Sequence, residues 1–348
     1  MKLLPAPLSR PSLMSAVALL AMTPLIPATA LAAPKPAVAA QADAGTRLAA
    51  EFARLAKQTD GTVGVAVQRV GGTAATTLNA GMAFPMASTF KIAVAGKIFQ
   101  RIDRGELSLD RMIAVEPAMI VPSAGIAEQL PHAGIALSIH NLLELMLTRS
   151  DNTATDVLTA QAGGPAAVTA WLRSVGVTDQ RVDGDTAHVI FRAFGVTPGT
   201  GTFTEQLTAA FTADPAKQER NINRTPDKLF NDDPRDSSTP EAMAKLLLTI
   251  EAGKAMSAAS TKTLLDIMAR CHTGDQRIKG LLPSGTLVAH KTGSLMSIAN
   301  DVGLVTLPDG SKFAIAVYIK GDTKGTEVQD RVIANIARAA YDYFLLEG

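Results

Sequence analysis

The sequence predicts a mixed α/β (α+β) fold, an antiparallel sheet flanked by helices together with an all-helical lobe. Strand-like runs cluster near the two ends of the chain, TVGVAVQRV and AATTLNA early, TLVAHKTG, ANDVGLVTLP and KFAIAVYIKG late. Between them, from Ser88 to about Gly253, apolar residues recur at three-to-four spacing. With 348 residues, 47% of them hydrophobic, the chain can bury a large core.

Taken in order, the chain opens on an export signal. Lys2 and Arg10 flank the apolar stretch SLMSAVALLAMTPLIPATALAA, and Ala30-Leu31-Ala32 supplies a small-x-small cleavage site. Residues 1–32 are expected to be removed and 33–43 to form a linker. An uncleaved membrane anchor is the alternative, but Pro24 and Pro27 interrupt the span it needs. The folded domain is expected over 44–348, with 44–84 and 254–348 in the α/β lobe and 85–253 in the helical lobe. Gly71-Gly72 joins the first two strands. STFKIAVAGKIFQRIDRG, SIHNLLELMLTRS and PAAVTAWLRSVG each carry one apolar helical face. Thr239-Pro240-Glu241 reads as an N-cap with proline in the first turn. SAASTKTLLDIMAR precedes the returning strands, PDG turns between the last two, and TEVQDRVIANIARAAYDYF closes the chain.

Composition excludes several functions. Thirty-three basic against 32 acidic residues give a net charge of +1, no basis for binding nucleic acid or an anionic membrane surface. A single cysteine, Cys271, rules out an internal disulfide. The histidines at 132, 140, 188, 272 and 290 show no H-x-H or H-x-x-x-H pairing, so no zinc site, metal or other cofactor is expected. The mature protein is expected to be exported to the periplasm or exterior and to act as a monomer, free of the membrane.

One stretch stands out chemically. In MASTFKIAV, Ser88 and Lys91 lie three apart at the start of a helical pattern, and so on one face. An amine in apolar surroundings loses proton affinity and can take a proton from a hydroxyl. The backbone N–H of a serine at a helix N-terminus can also stabilise an oxyanion. Alone, the pair carries little, since a chain this long holds about one S-x-x-K by chance. Two further motifs follow in order. Ser150-Asp151-Asn152 comes after the helix NLLELMLTR, and Lys291-Thr292-Gly293 ends the strand TLVAH.

Together these three motifs resemble the class A β-lactamases and penicillin-binding proteins. The resemblance runs from about Ala44 to Gly348 and implies a β-lactamase/transpeptidase-like fold. The first spacing, 150 − 88 = 62, compares with about 60 in that family; the second, 291 − 150 = 141, with about 105. About 35 extra residues therefore need a home. The resemblance implies hydrolysis of the ring of penicillin- or cephalosporin-type antibiotics through a serine acyl-enzyme. A penicillin-binding acyl-transferase or peptidase, or a protein that binds the drug and deacylates slowly, is the alternative. Ser88 would be acylated and Lys91 would exchange its proton. Ser150 would relay a proton to the lactam nitrogen, and Lys291 would set the positive field. Asn152 would bind the substrate amide, and Thr292, followed by Gly293, would meet its carboxylate. Ser294 would give the second oxyanion N–H. Arg277 stands where some members keep a carboxylate-binding arginine; its other reading is a surface charge.

The resemblance departs in the loop that carries the base for deacylation. Family members read roughly R-L-D-R-x-E-x-x-L-N and later D-x-R-D. Here the loop opens with Arg181-Val182-Asp183, closes with Asp233-Pro234-Arg235-Asp236, and holds an insertion expected over about 184–218. Gly184 replaces the arginine that pins the loop neck, and Lys217 or Arg220 is expected to replace it. Glu219-Arg220-Asn221-Ile222-Asn223 fits E-x-x-L-N, which makes Glu219 the expected base. Counting back from Asp236 without gaps puts Asn223 there instead and leaves none.

Overall fold

The structure, a computed structural model, describes residues 37–130 and 132–346, so the expected signal peptide lies outside the described residues. Helix α1 (Ala37–Ala56) starts inside the stretch expected as linker. Strands β1 (Thr62–Arg69) and β2 (Ala75–Leu78) form the expected hairpin, with Gly71 at φ +80 in the turn. Then come β3 (Phe84–Pro85), a 3₁₀ turn Ala87–Phe90, and α2 (Lys91–Asp103). The helical lobe continues with β4 (Met112–Ala114), α3 (Ile126–Gln129), β5 (Ala136–Ser138), α4 (Ile139–Thr148), α5 (Asn152–Gln161) and α6 (Pro165–Ser174). Four helices fill the long loop: α7 (Thr186–Ala193), α8 (Phe203–Ala213), α9 (Pro215–Ile222) and α10 (Lys228–Asn231). The chain leaves that loop through β6 (Ser237–Ser238) and enters α11 (Pro240–Glu251) and α12 (Ala258–Ala269). Strands β7 (Val288–Leu295), β8 (Ile298–Thr306) and β9 (Lys312–Lys320) precede the closing α13 (Thr326–Leu346).

The five long strands pair antiparallel in the order β2-β1-β9-β8-β7, which leaves β7 at an edge. Alternation sorts the sheet's side chains between two cores. Val63, Val65, Val67, Ile315, Val317 and Ile319 join Phe52, Ile333 and Ile336 of the α1 and α13 layer. Val302, Leu304, Ala314, Ala316 and Tyr318 face the other way, toward α11 and the helical lobe. At the centre of that lobe α2 is buried on nearly every side, which explains its unbroken apolar run. A Cβ at Gly96 would come within 2.1 Å of the Trp171 ring, so glycine is what lets α6 pack this closely. No helix among the described residues is long and apolar enough to cross a membrane.

The sequence suggested one helix from Ser88 onward. The structure puts Ser88 in the 3₁₀ turn and starts the α-helix at Lys91. With three residues per turn, side chains at i and i+3 eclipse, so Ser88 and Lys91 still share a face.

Candidate active site

The turn carrying Ser88 is held by its neighbours. Ala87 sits at φ +43, a conformation disfavoured for a residue with a Cβ. Asn300 of β8 donates through Nδ2 to Pro85 O (2.9 Å) and Met86 O (3.0 Å), and Thr89 Oγ1 donates to Met86 O (2.8 Å). Asn300 thus clamps the turn from the sheet. A Cβ at Gly293 would lie 2.6 Å from Met86 O and 3.1 Å from Ser88 N, so glycine lets edge strand β7 run against the turn. Ser88 itself is partly exposed, and its Oγ makes no hydrogen bond among the described residues.

Beside it the other motif residues converge. Lys91, fully buried at the start of α2, points Nζ at Ser150 O (2.7 Å), Asn152 Oδ1 (3.0 Å) and Ser150 Oγ (3.3 Å). Lys291, equally buried on β7, donates to Ser150 Oγ (3.0 Å) and Thr292 O (2.9 Å). Ser150 therefore lies between two amines, in a left-handed conformation with φ +59. Asp151 N-caps α5: its carboxylate takes Ala154 N and Ile126 N, each at 2.6 Å. Burial, then the charge of Lys291, holds Lys91 well below the ordinary lysine range, against Asp156 and Asp151. Burial brings Lys291 to about 8; Cys271 and Asp301 oppose that shift and Arg277 adds to it. Burial thus lowers the proton affinity of both amines.

The strand side is organised by Arg277, which is buried rather than a surface charge. Its Nε meets Asp330 Oδ1 (2.7 Å), Nη1 donates to Asn300 O (2.9 Å) and Gly293 O (3.2 Å), and Nη2 donates to Ser294 Oγ (2.8 Å). Thr292 Oγ1 lies 2.6 Å from Thr273 Oγ1, a contact the motifs did not signal.

Residues 47–344 match the family described as the Beta-lactamase enzyme family. The chain belongs to that family. It is 28% identical to the extended-spectrum β-lactamase PER-1 of Pseudomonas aeruginosa, over 82% of this chain and 83% of that protein. A β-lactamase structure from Chitinophaga pinensis superposes with a TM-score of 0.69 at 30% identity, over 85% of this chain and 98% of that one. An ancestral class A β-lactamase gives 0.70 at 30% identity, over 85% and 99%. The mixed fold of this β-lactamase is that of the class A enzymes, as the motifs implied.

In this β-lactamase the long loop closes differently from the sequence expectation. Asp183 N and Gly184 N donate to Asp236 Oδ1 (2.7 and 3.0 Å), and Asp236 N donates to Asp183 Oδ2 (3.0 Å). The cation at the neck is neither Lys217 nor Arg220, which pair with Asp214 and Asp227. It is Arg192 of α7, 2.7 Å from Asp236 and 3.3 Å from Asp233. Beyond the neck, Val189, Phe191, Phe194, Phe203 and Phe230 form a small core against Val121, Met296 and Ile298.

Glu219 is exposed on α9, and its carboxylate makes no hydrogen bond or ion pair among the described residues. Asp156, four residues after Asn152 on α5, is a buried carboxylate that, like Asp151, acts electrostatically on Lys91. It accepts Thr186 N (2.6 Å) and Ala187 N (3.1 Å), the first N–H groups of α7. Burial, then the nearby Asp185, pushes Asp156 up to about 7 despite those bonds. Asp156 also lines a cavity of about 240 Å³ shared with Val121, Asp185, His188 and Phe203, roomy enough for several waters.

Proposed function

We propose that Ser88 is acylated by the β-lactam carbonyl and that water releases the product, with one residue for each proton. Lys91, its proton affinity lowered by burial, takes the Ser88 hydroxyl proton as Oγ attacks. Lys291, still an ammonium, donates to Ser150 Oγ, whose own proton passes to the leaving lactam nitrogen. The N–H groups of Ser88 and Ser294 face the developing oxyanion, the second from the unpaired edge of β7. Asn152 keeps amide capacity for the substrate side chain, although Lys91 and Pro122 O already engage it. Thr292 and Ser294 meet the ring carboxylate, and Arg277 acts through Ser294, whose hydroxyl it holds.

Deacylation needs a carboxylate within reach of a water. Asp156, which acts on Lys91 electrostatically and lines the cavity under α7, takes that place in this reading, and Glu219 does not. Export and action as a monomer complete the proposal.

The observation that carries it is Ser150 Oγ between Lys91 Nζ at 3.3 Å and Lys291 Nζ at 3.0 Å. The test is steady-state turnover of a chromogenic cephalosporin beside mass spectrometry of the drug-exposed protein. Turnover together with an adduct lost in Ser88→Ala supports it. A wild-type adduct that persists for hours makes the protein a slowly deacylating penicillin-binding protein, and labelling that survives Ser88→Ala removes Ser88 from the chemistry.

A further inference from the structure

Behind the Lys291-Thr292-Gly293 strand lies a row of buried groups that the acylation steps leave unused. Cys271, the single cysteine, is buried with Sγ 3.3 Å from Thr273 Oγ1 and 3.7 Å from Thr273 O. Thr273 Oγ1 in turn lies 2.6 Å from Thr292 Oγ1. Also acting on the thiol is His290, wholly buried, with Nδ1 2.8 Å from Asp301 Oδ1. Its Nε2 has no aligned hydrogen-bond partner and lies within electrostatic reach of the sulfur. The remaining charges around the row are Lys291, the Lys279 ammonium, which donates to Cys271 O at 3.0 Å, and Arg277 beside Lys291. Asp301 is further engaged by Ile278 N at 3.1 Å.

A hydroxyl has one proton, so a chain of hydroxyls has a direction. If the thiol donates to Thr273 Oγ1, then Thr273 donates to Thr292 Oγ1, and the Thr292 proton is free to point into the cleft. If the sulfur is ionised, Thr273 donates to it and Thr292 donates to Thr273. Thr292 then presents only lone pairs to the cleft, which repel a carboxylate.

We propose that Cys271 is a positioning residue that sets the direction of the Thr273–Thr292 chain, so that Thr292 donates to an anionic substrate group only while the thiol is protonated. This rests on the reading above in which Thr292 meets the ring carboxylate. Burial alone would push the thiol up, but His290, then Lys291 and Thr273, bring it to about 6. His290 is raised against its own burial to about 9, chiefly by Asp301 and then by Cys271. Between those values the pair is thiolate and imidazolium. Binding a carboxylate then favours the thiol, which takes its proton from solvent while His290, the stronger base, keeps its own.

The experiment compares wild type with Cys271→Ser and Cys271→Ala, following acylation by a fluorescent penicillin and steady-state KM between about pH 5 and pH 8. Serine keeps a donor and an acceptor but does not ionise. Wild-type KM is expected to rise ~10-fold across the range with a smaller change in kcat, the scale of one charge-assisted hydrogen bond. In Cys271→Ser the KM should stay near the wild-type low-pH value throughout. Ultraviolet absorbance of the lone thiolate should appear near pH 6 in the wild type and diminish as penicillin saturates the site. A serine variant with the wild-type pH dependence of KM overturns the proposal, as does a thiol that stays protonated to pH about 8. If penicillin acylates none of the proteins at any pH, the reading of the site falls and takes this inference with it, while the thiolate titration still reports separately on the pair.

Discussion

Around Ser150 every polar contact joins side chains or carbonyls within a few residues of regular elements, at 2.7–3.3 Å. Across the site, the loop between Asp183 and Asp236 meets the helical lobe differently, by offering the backbone N–H groups of Thr186 and Ala187 to Asp156. The first wall needs particular side chains at fixed spacing. The second needs only a helix N-terminus presented to a buried carboxylate, and many sequences can supply one. One wall is specified by residue identity, the other by backbone geometry.

That contrast can be broken most sharply at Asp156. Replacing it with asparagine should let acyl-enzyme accumulate after a burst and cut turnover ~10²-fold, the scale of a lost general base. Stopped-flow turnover with intact-mass analysis reads both, and normal turnover would return the search to the loop. Because an acceptor must be ionised and Asp156 sits near 7, deacylation should quicken as pH rises through that value. Arg192→Ala tests the neck. It leaves Asp236, nearly buried, without its cation, and stability by chemical denaturation should fall by roughly 3 kcal/mol. Unchanged stability would mean that the N–H groups of Asp183 and Gly184 suffice. On the strand wall, Arg277→Ala should raise KM several-fold for substrates bearing the ring carboxylate while kcat changes less, since Ser294 Oγ loses its donor. A fall in kcat with KM unchanged would instead assign Arg277 to the transition state. The smallest effect is expected at Glu219: Glu219→Gln should turn over within about twofold of wild type, as exposed substitutions generally leave a protein unperturbed. A stalled acyl-enzyme there would restore the original placement.

The same contrast governs what could be read from the residues. Ser88, Lys91, Ser150 and Lys291 were visible because their chemistry demands fixed residue types on regular elements, and the structure gathers Lys91, Ser150 and Lys291 within hydrogen-bond distance. The sheet followed from alternation, and Thr239 caps α11 as its position before Pro240 suggested. Glu219 rested on a five-residue pattern beside an insertion, which has no geometric anchor, and the structure leaves it exposed on α9. Arg192 was missed because its partner Asp236 lies 44 positions away across that insertion. Asp156 carried a usable signal, a carboxylate one helical turn beyond Asn152. Arg277 was recognisable as a functional position, but its burial against Asp330 and Ser294 depends on how α13 packs. Cys271 was counted only for its inability to form a disulfide; its neighbours Thr273, His290 and Asp301 meet it only in three dimensions.

The reciprocal bonds between Asp183 and Asp236 tie together residues 53 apart in sequence. The entropy lost on closing a loop grows only with the logarithm of its length, about 0.6 kcal/mol for each doubling. About 35 added residues take such a loop from about 18 residues to its present length, between one and two doublings, for roughly 1 kcal/mol. The small aromatic core around Phe191 and Phe203, whose rings stack at 4.8 Å, is ample to offset that. A neck sealed by its own two aspartates therefore makes the interior of this loop a place where length can change while the cleft does not.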